Sequence, residues 1–321
     1  MAITTTSSFT TELENALVPF LLPKPDDKLS IFQSGIIGEV APPGSVRGAT
    51  TIHVNQFGWT GSGGTFTEAA RRLTDGTDVS GTPVGMSATQ YTLTVREYGG
   101  PHDATNVAPL GITELMLDVG THDLAAKIGP HLLRDYMYWR DQVALTLALT
   151  TTSYWTAGTT PSNTDQATVA AAEKASYLWL TEIRANLAAN KVPTFGNGRY
   201  RGFIQPRQTK ELLQDSDVKQ AMATRPDGAP IVGYVGTLAG IDLYEATNLG
   251  TTGIGAGSAV TGYNSVFFGA VAPCGMYQHL AMTPRLNKND DYGRKYLTIW
   301  KEHAAYAALD VNTYAIKGFS T

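Results

Sequence analysis

The chain has 321 residues and a mass of 34.3 kDa, with 24 Lys and Arg against 28 Asp and Glu, a net charge of −4 and a pI near 5.9. That balance excludes the basic field that grips nucleic-acid phosphates through counterion release. Charged residues make up only 16% of it, against roughly 25% in ordinary soluble proteins, so much of the surface need not face water. The single cysteine, Cys274, excludes an internal disulfide framework and any multi-cysteine metal site, leaving packing and association to supply stability.

Two lobes are expected, because single cores stop growing near about 250 to 300 residues. The first 11 residues are rich in Thr and Ser and hold no Lys or Arg, and the apolar stretch Ala16 to Leu22 is interrupted by Pro19. Neither a signal peptide nor a membrane span is expected. Residues 1–44 combine an amphipathic piece, Glu12 to Leu22, with Pro19, Pro23, Pro25, Pro42 and Pro43. This reads as an extended arm.

Alternation from Arg47 to Phe57 has the period of a strand, and Tyr91 to Tyr98 answers it. Between them Gly61, Gly63, Gly64, Gly76, Gly81, Pro83 and Gly85 surround a charged piece, Glu68 to Asp75. That is turn chemistry, too polar to build a core. A hairpin of this kind is marginal alone, so it either lies on a neighbouring subunit, where strand edges and aromatics find partners, or is a flexible surface loop. Phe57, Trp59, Phe66, Arg71, Arg72 and Glu97 are the candidate inter-subunit contacts, since aromatics and arginines are favoured at interfaces.

Thr121 to Leu149 gives the strongest helix, with Leu124, Ile128, Leu132, Tyr136, Trp139, Val143 and Leu147 on one stripe. Thr121 is its expected cap and Asp123 suits the first turn. At about 1.5 Å per residue it would run about 40 Å, with a kink expected at Pro130. A Thr/Ser/Gly loop follows, and a second helix is expected from Asp165, with Val169, Ala172, Leu180, Ile183 and Leu187 on one side and Asn190 and Pro193 closing it. The lobe boundary falls near residue 155.

Next come a strand at Gly202 to Gln205, a helix opened by Pro206 and another opened by Ser216. Strand signals resume at Leu238 to Ala246 and Val266 to Ala272. The tail alternates in Tyr277 to Met282, Tyr296 to Trp300 and Ala304 to Ile316, as long antiparallel strands do.

Signals for catalysis are absent from this pattern. His53, His102, His122, His131, His279 and His303 form no ligand spacing. Gly253, Gly255 and Gly257 faintly resemble a dinucleotide turn, but a strand-like piece follows where a helix is required. There is no nucleophile elbow or phosphate loop, and Cys274 has no local base. Glu173, Glu182, Asp215 and Asp217 are spaced like solvent-facing positions. No catalytic residue, cofactor or metal is expected.

The order of parts resembles the major capsid proteins of tailed double-stranded DNA bacteriophages, which share the Hong Kong 97 fold. The resemblance rests on the strand pair at Arg47 to Phe57 and Tyr91 to Tyr98, on the spine-like helix at His122 to Leu149, and on the segment Gly233 to Asn248, similar to the family's axial-domain pattern. The stretch from Tyr98 to Leu115, opening with Tyr-Gly-Gly and closing with Gly-Ile-Thr-Glu-Leu, is most similar to the branch found in podophages with large virion polymerases.

The resemblance implies an α+β fold with an N-terminal arm at 1–44, an extended β-hairpin loop at 45–100, a peripheral domain with the spine helix at 101–155 and 275–321, and an axial domain at 156–274. It implies a non-enzymatic subunit that assembles with itself as pentamers and hexamers into an icosahedral virion shell in the host cytoplasm, enclosing DNA without sequence-specific binding. Further partners implied are a separate scaffolding protein, a portal and a decoration protein; no membrane is involved. No lysine occurs from Leu29 to Ala126, so the lysine crosslink some members make from this loop is excluded. An encapsulin-like compartment with a protein cargo, a tail or surface-layer protein, and a metabolic enzyme are the alternatives.

Overall fold

Period-2 stretches become strands and the long 3.6-period stripe becomes a helix, giving two larger sheets bridged by that helix and two two-stranded ones, residues 51–57 with 88–94 and 102–103 with 106–107. The computed structural model describes residues 31, 34–40, 51–57, 88–103, 106–113, 124–157, 173–223, 234–254, 260–290 and 295–321. Seven strands come first: β1 (Ile37–Glu39), β2 (Thr51–Phe57), β3 (Ala88–Thr94), β4 (Arg96–Gly100), β5 (His102–Asp103), β6 (Asn106–Val107) and β7 (Leu110–Thr113). Then follow α1 (Leu124–Ala148), β8 (Tyr154–Thr156), α2 (Tyr177–Ala189), β9 (Tyr200–Ile204), α3 (Pro206–Gln214) and α4 (Ser216–Ala223). The chain finishes with β10 (Tyr234–Leu238), β11 (Ile241–Glu245), β12 (Thr251–Ile254), β13 (Val260–Phe268), β14 (Cys274–Asp290), β15 (Lys295–Ala308), α5 (Val311–Tyr314) and β16 (Ala315–Ser320).

One sheet runs β10-β11-β9-β13-β16-β8, with β12 on β13. Its central strand carries Val266, Phe267 and Phe268 in succession, all fully buried, as a strand covered on both faces must. Phe267 joins Trp179, Leu180, Ile183 and Leu187 of α2 in one core. Val266 and Phe268 join Leu145 and Ala148 of α1, together with Ile31 and Ile36, in the other. Space for the Phe267 ring comes from glycines on both neighbouring strands: a Cβ on Gly202 would stand 2.5 Å from the ring, and one on Gly318 would stand 2.9 Å from it.

The other sheet runs β1-β14-β15-β4, with β7 also on β15. Its backbone is the long antiparallel pair β14 and β15, which starts at Cys274 opposite Ala308 and has register shifts between Gln278 and Thr283. Such bulges bend the ribbon. The last strand, grouped by sequence with 275–321, leaves this sheet: β16 pairs antiparallel with β13 and parallel with β8.

Four elements differ from the sequence reading. The second helix begins at Tyr177, not at Asp165, because residues 173–176 are not helical, Ser176 is extended and its side chain accepts a hydrogen bond from the Trp179 N–H at 3.3 Å; Asp165, Val169 and Ala172 lie outside the described residues. The Tyr91 to Tyr98 strand divides at Val95, β3 pairing with β2 and β4 with β15. The stretch Ala304 to Ile316 is interrupted at Asp310, whose φ of 41° turns the chain into α5. The end of the arm is built into the body: β1 pairs parallel with β14, and the Arg201 guanidinium donates to the Ser34 carbonyl while lying 4.0 Å from the Phe195 ring.

The long helix is confirmed from Leu124 to Ala148, with Pro130 inside it. Leu132, Tyr136, Ala144, Leu145 and Ala148 are its buried residues, Trp139, Val143 and Leu147 are half-buried, and Leu133, Met137 and Tyr138 are exposed. The stripe therefore drifts along the helix as it passes from one sheet to the other. Thr121 and Asp123, with the side chains of Leu124 and Ile128, lie outside the described residues.

Candidate functional site

The β2–β3 hairpin pairs from Thr51 opposite Thr94 to Phe57 opposite Ala88. Among its described residues Ile52 and Leu93 are buried, and they pack on Ala305 with Tyr277, Ala307 and Leu309 alongside. Period 2 explains this: one face of the base meets β15, and Thr51, His53, Asn55 and Thr92 on the other face remain exposed. Among the described residues its buried packing lies at the root, and Gln56 Nε2 adds a hydrogen bond to Tyr314 Oη at 3.3 Å.

Of the six expected contact residues, Glu97 is fully described. It stands on β4 opposite His303 of β15, with its carboxylate 2.6 Å from Lys301 Nζ and 3.6 Å from His303 Nε2. The Lys301 ammonium holds its carboxyl below the usual carboxylate range. The His303 distance is too long for a hydrogen bond. Phe57 ends β2, with its side chain outside the described set; Trp59, Phe66, Arg71 and Arg72 lie outside the described residues altogether.

A site the sequence reading passed over lies where α1 crosses β14 and β15. Glu302 is fully buried, and its carboxylate accepts from Tyr136 Oη at 2.9 Å, from Tyr306 Oη at 3.0 Å and from Gln278 Nε2. Tyr98, Tyr136, Trp139, Trp300 and Tyr306 surround it, with ring centroids 4.9 to 6.2 Å apart. Burial and the neighbouring Glu302 charge raise the Tyr136 and Tyr306 hydroxyls well above the ordinary tyrosine range.

Trp300 Nε1 donates to Asp135 Oδ2 at 2.7 Å, and only Gly100 leaves room for that bond, since a Cβ there would stand 2.6 Å from the indole nitrogen. One helix and two strands are thus fastened to one buried carboxylate, an arrangement suited to fixing orientation. The signal in the sequence was parity: Trp300, Glu302, Ala304 and Tyr306 occupy successive same-face positions of β15, and a lone acid in such a row needs partners.

Other candidates resolve as structural. Cys274 is buried and its thiol is pushed up to about 12 by burial, the opposite of an activated nucleophile. Residues 251–254 and 260–263 pair as an antiparallel hairpin, so the glycine run joins two strands, as expected. Asp215 does not face solvent freely: it accepts from the Tyr177 N–H at 2.7 Å, while Glu211 accepts from the Ala175 N–H at 3.0 Å. Carboxylates thereby serve the positive end of α2. Among the described residues no group of three or more His, Cys, Asp or Glu could hold a metal ion, and no helix is long and apolar enough to cross a membrane.

No protein-family model matches the chain, and no curated protein matches it in sequence. In structure it is similar to subunits of phage capsids. The capsid of cyanophage P-SCSP1u matches with a TM-score of 0.64 and 12% identity, over 94% of this chain and 90% of that one. The capsid of Ralstonia phage GP4 matches with a TM-score of 0.66 and 16% identity, over 94% and 96%. The capsid asymmetric unit of cyanophage Pam1 matches with a TM-score of 0.67 and 16% identity, over 93% of each. The chain therefore has the α+β capsid fold of the Hong Kong 97 type, with strands dominating, as its sequence led us to expect.

Proposed function

We propose that the chain is the major capsid protein of a tailed double-stranded DNA bacteriophage, a structural subunit that assembles as pentamers and hexamers into an icosahedral virion shell. The observation that carries this reading is the likeness to phage capsid subunits over nearly the whole length of both chains. The exposed face of the β2–β3 hairpin supports it, because a strand pair with one exposed face gains stability by lying on a neighbour. In this reading residues 45–100 overlap an adjacent subunit, 1–44 tie subunits together, 101–155 and 275–321 form the peripheral domain and 156–274 the axial domain. The Tyr98 to Leu115 stretch, similar to the podophage branch with large virion polymerases, places the chain in that branch in this reading.

Function then lies in geometry: closed symmetry turns many weak contacts into a container. A net charge of −4 suits a wall that encloses DNA without gripping it. A scaffolding protein, a portal and a decoration protein are the partners this reading supplies, with assembly in the host cytoplasm. The test is to express the chain alone and with a candidate scaffolding protein, followed by sedimentation and electron microscopy. Closed shells or capsomers are expected; a persistent monomer or dimer under both conditions overturns the proposal. Nucleic acid inside the shells separates a capsid from an encapsulin-like compartment, and tubes or sheets would indicate a tail or surface-layer protein. Deleting residues 61–81 is expected to leave a folded subunit that cannot close shells.

A further inference from the structure

Among the described residues, three of the seven exposed large hydrophobic side chains crowd onto one short stretch of α1: Leu133, Met137 and Tyr138, at 49%, 41% and 58% exposure. They turn away from the five-stranded sheet, whose core takes Leu132 and Tyr136. Seven residues make about two helical turns, so Met137 shares a face with Ala144, and Tyr138 with Leu145. Ala144 and Leu145 are fully buried, in one core with Ile31 and Ile36 of the arm. One face of α1 is therefore covered where the arm joins the body and open two turns nearer the helix N-terminus. Single exposed apolar residues need no explanation, but a contiguous group of them marks a contact.

The chain upstream of Ile31 fits that face in composition, reach and charge order. Residues 12–22 lie outside the described residues; they bring Leu13, Leu17, Phe20, Leu21 and Leu22, with Glu12 and Glu14 at their start and Lys24 just beyond their end. From Leu22 to Ile31 the chain reaches up to about 30 Å, whereas Leu133 lies only about 18 Å along the helix from Leu145. On α1, Arg134 adjoins Leu133 and Asp141 follows Met137 by one turn. A segment leading down to Ile31 runs in the direction of the helix, which brings Glu12 and Glu14 to the arginine end and Lys24 to the aspartate end. Such matching sets register and direction.

We propose that the open face of α1, at Leu133, Met137 and Tyr138, is the docking site of the chain's own residues 12–22 in the free subunit. The contact continues along the helix the one that Ile31 and Ile36 begin. It concerns a single chain and so stands apart from the shell reading. Tying subunits together by the arm would exchange it for the same contact on a neighbour.

The test is disulfide trapping in the full chain, comparing Leu17→Cys with Met137→Cys against Leu17→Cys with Thr146→Cys. Each double variant is diluted into excess wild type, so that only bonds within one chain form. Cys274 is buried and stays in place. Thr146 is exposed, half a turn round the helix from Met137 and nearer the arm root at Leu145, so an arm that roams freely reaches it at least as readily. The expected result is oxidation about tenfold faster or more at position 137, the gain of a docked segment over a merely tethered one. Equal rates, a faster bond at position 146, or no bond at either overturn the inference. A bond at position 137 that forms in undiluted samples and vanishes on dilution assigns the face to the arm of a second copy and also overturns it.

Discussion

The two junctions made by the molecule's sheets are held in different ways. Around Phe267 the seven-stranded sheet packs apolar side chains against α2, with glycines on adjacent strands making the fit. Where α1 crosses the five-stranded sheet, the contact is organised around the Glu302 carboxylate and its three donors, inside a shell of aromatic rings. Apolar packing is strong but has no direction, whereas hydrogen bonds specify one arrangement of donor and acceptor. The first junction secures the lobe. The second secures the angle and register of the long helix.

The largest expected effect breaks the apolar side. Phe267→Ala empties a site bounded by Trp179, Gly202 and Gly318, where the backbone cannot readily collapse, and should cost about 3–5 kcal/mol. Chemical denaturation of the purified subunit measures this. A loss under about 1 kcal/mol would mean that the core is loosely packed, contrary to the interior density assumed for such cores.

Tyr136→Phe should have the next effect, removing one donor to a buried carboxylate for about 1.5–3 kcal/mol. It leaves Tyr306 and Gln278 in place, so the helix should loosen at this crossing without unfolding. Hydrogen exchange in residues 132–145 would show this against an unchanged seven-stranded sheet. A pH signature accompanies it. Tyrosines whose folded pKa is raised keep protons that the unfolded chain releases, so their stabilisation is complete below the ordinary value of 10.0 and lost as pH rises beyond it. Stability should therefore decline above that pH in wild type, and less steeply in Tyr136→Phe. An identical alkaline slope would remove this junction from the account.

Much of this contrast was legible in the sequence, but unevenly. The Leu180, Ile183 and Leu187 face of α2 and the Val266 to Phe268 strand were read because burial on a helix or strand leaves a periodic apolar signature. Glu302 escaped because a charge in a strand normally means solvent, and its partners Tyr136, Gln278 and Tyr306 come from three elements whose meeting is a tertiary fact. The start of α2 was missed for a related reason: Asp165 has the chemistry of a cap, but Ser176 caps the helix, assisted by Asp215 from 39 residues later. The break at Asp310 depends on a left-handed residue that is not glycine, which no local pattern announces.

Glu97 is the smallest test and the one that joins subunit to assembly. Its carboxylate is already engaged by Lys301 within the protomer, and 62% of its side chain is exposed; such pairs are screened by solvent and contribute little to folding. Its pKa is lowered, first by the Lys301 hydrogen bond, so what stabilisation it gives is present above the unfolded carboxylate value and fades as pH falls through the lowered one. Glu97→Gln should therefore leave subunit melting at neutral pH unchanged within error. If Glu97 also meets a neighbouring subunit, as its place just beyond the hairpin root suggests, the same substitution should weaken assembly and reduce its sensitivity to salt. Unchanged assembly would confine Glu97 to its own strand pair and leave the hairpin's contacts to other residues.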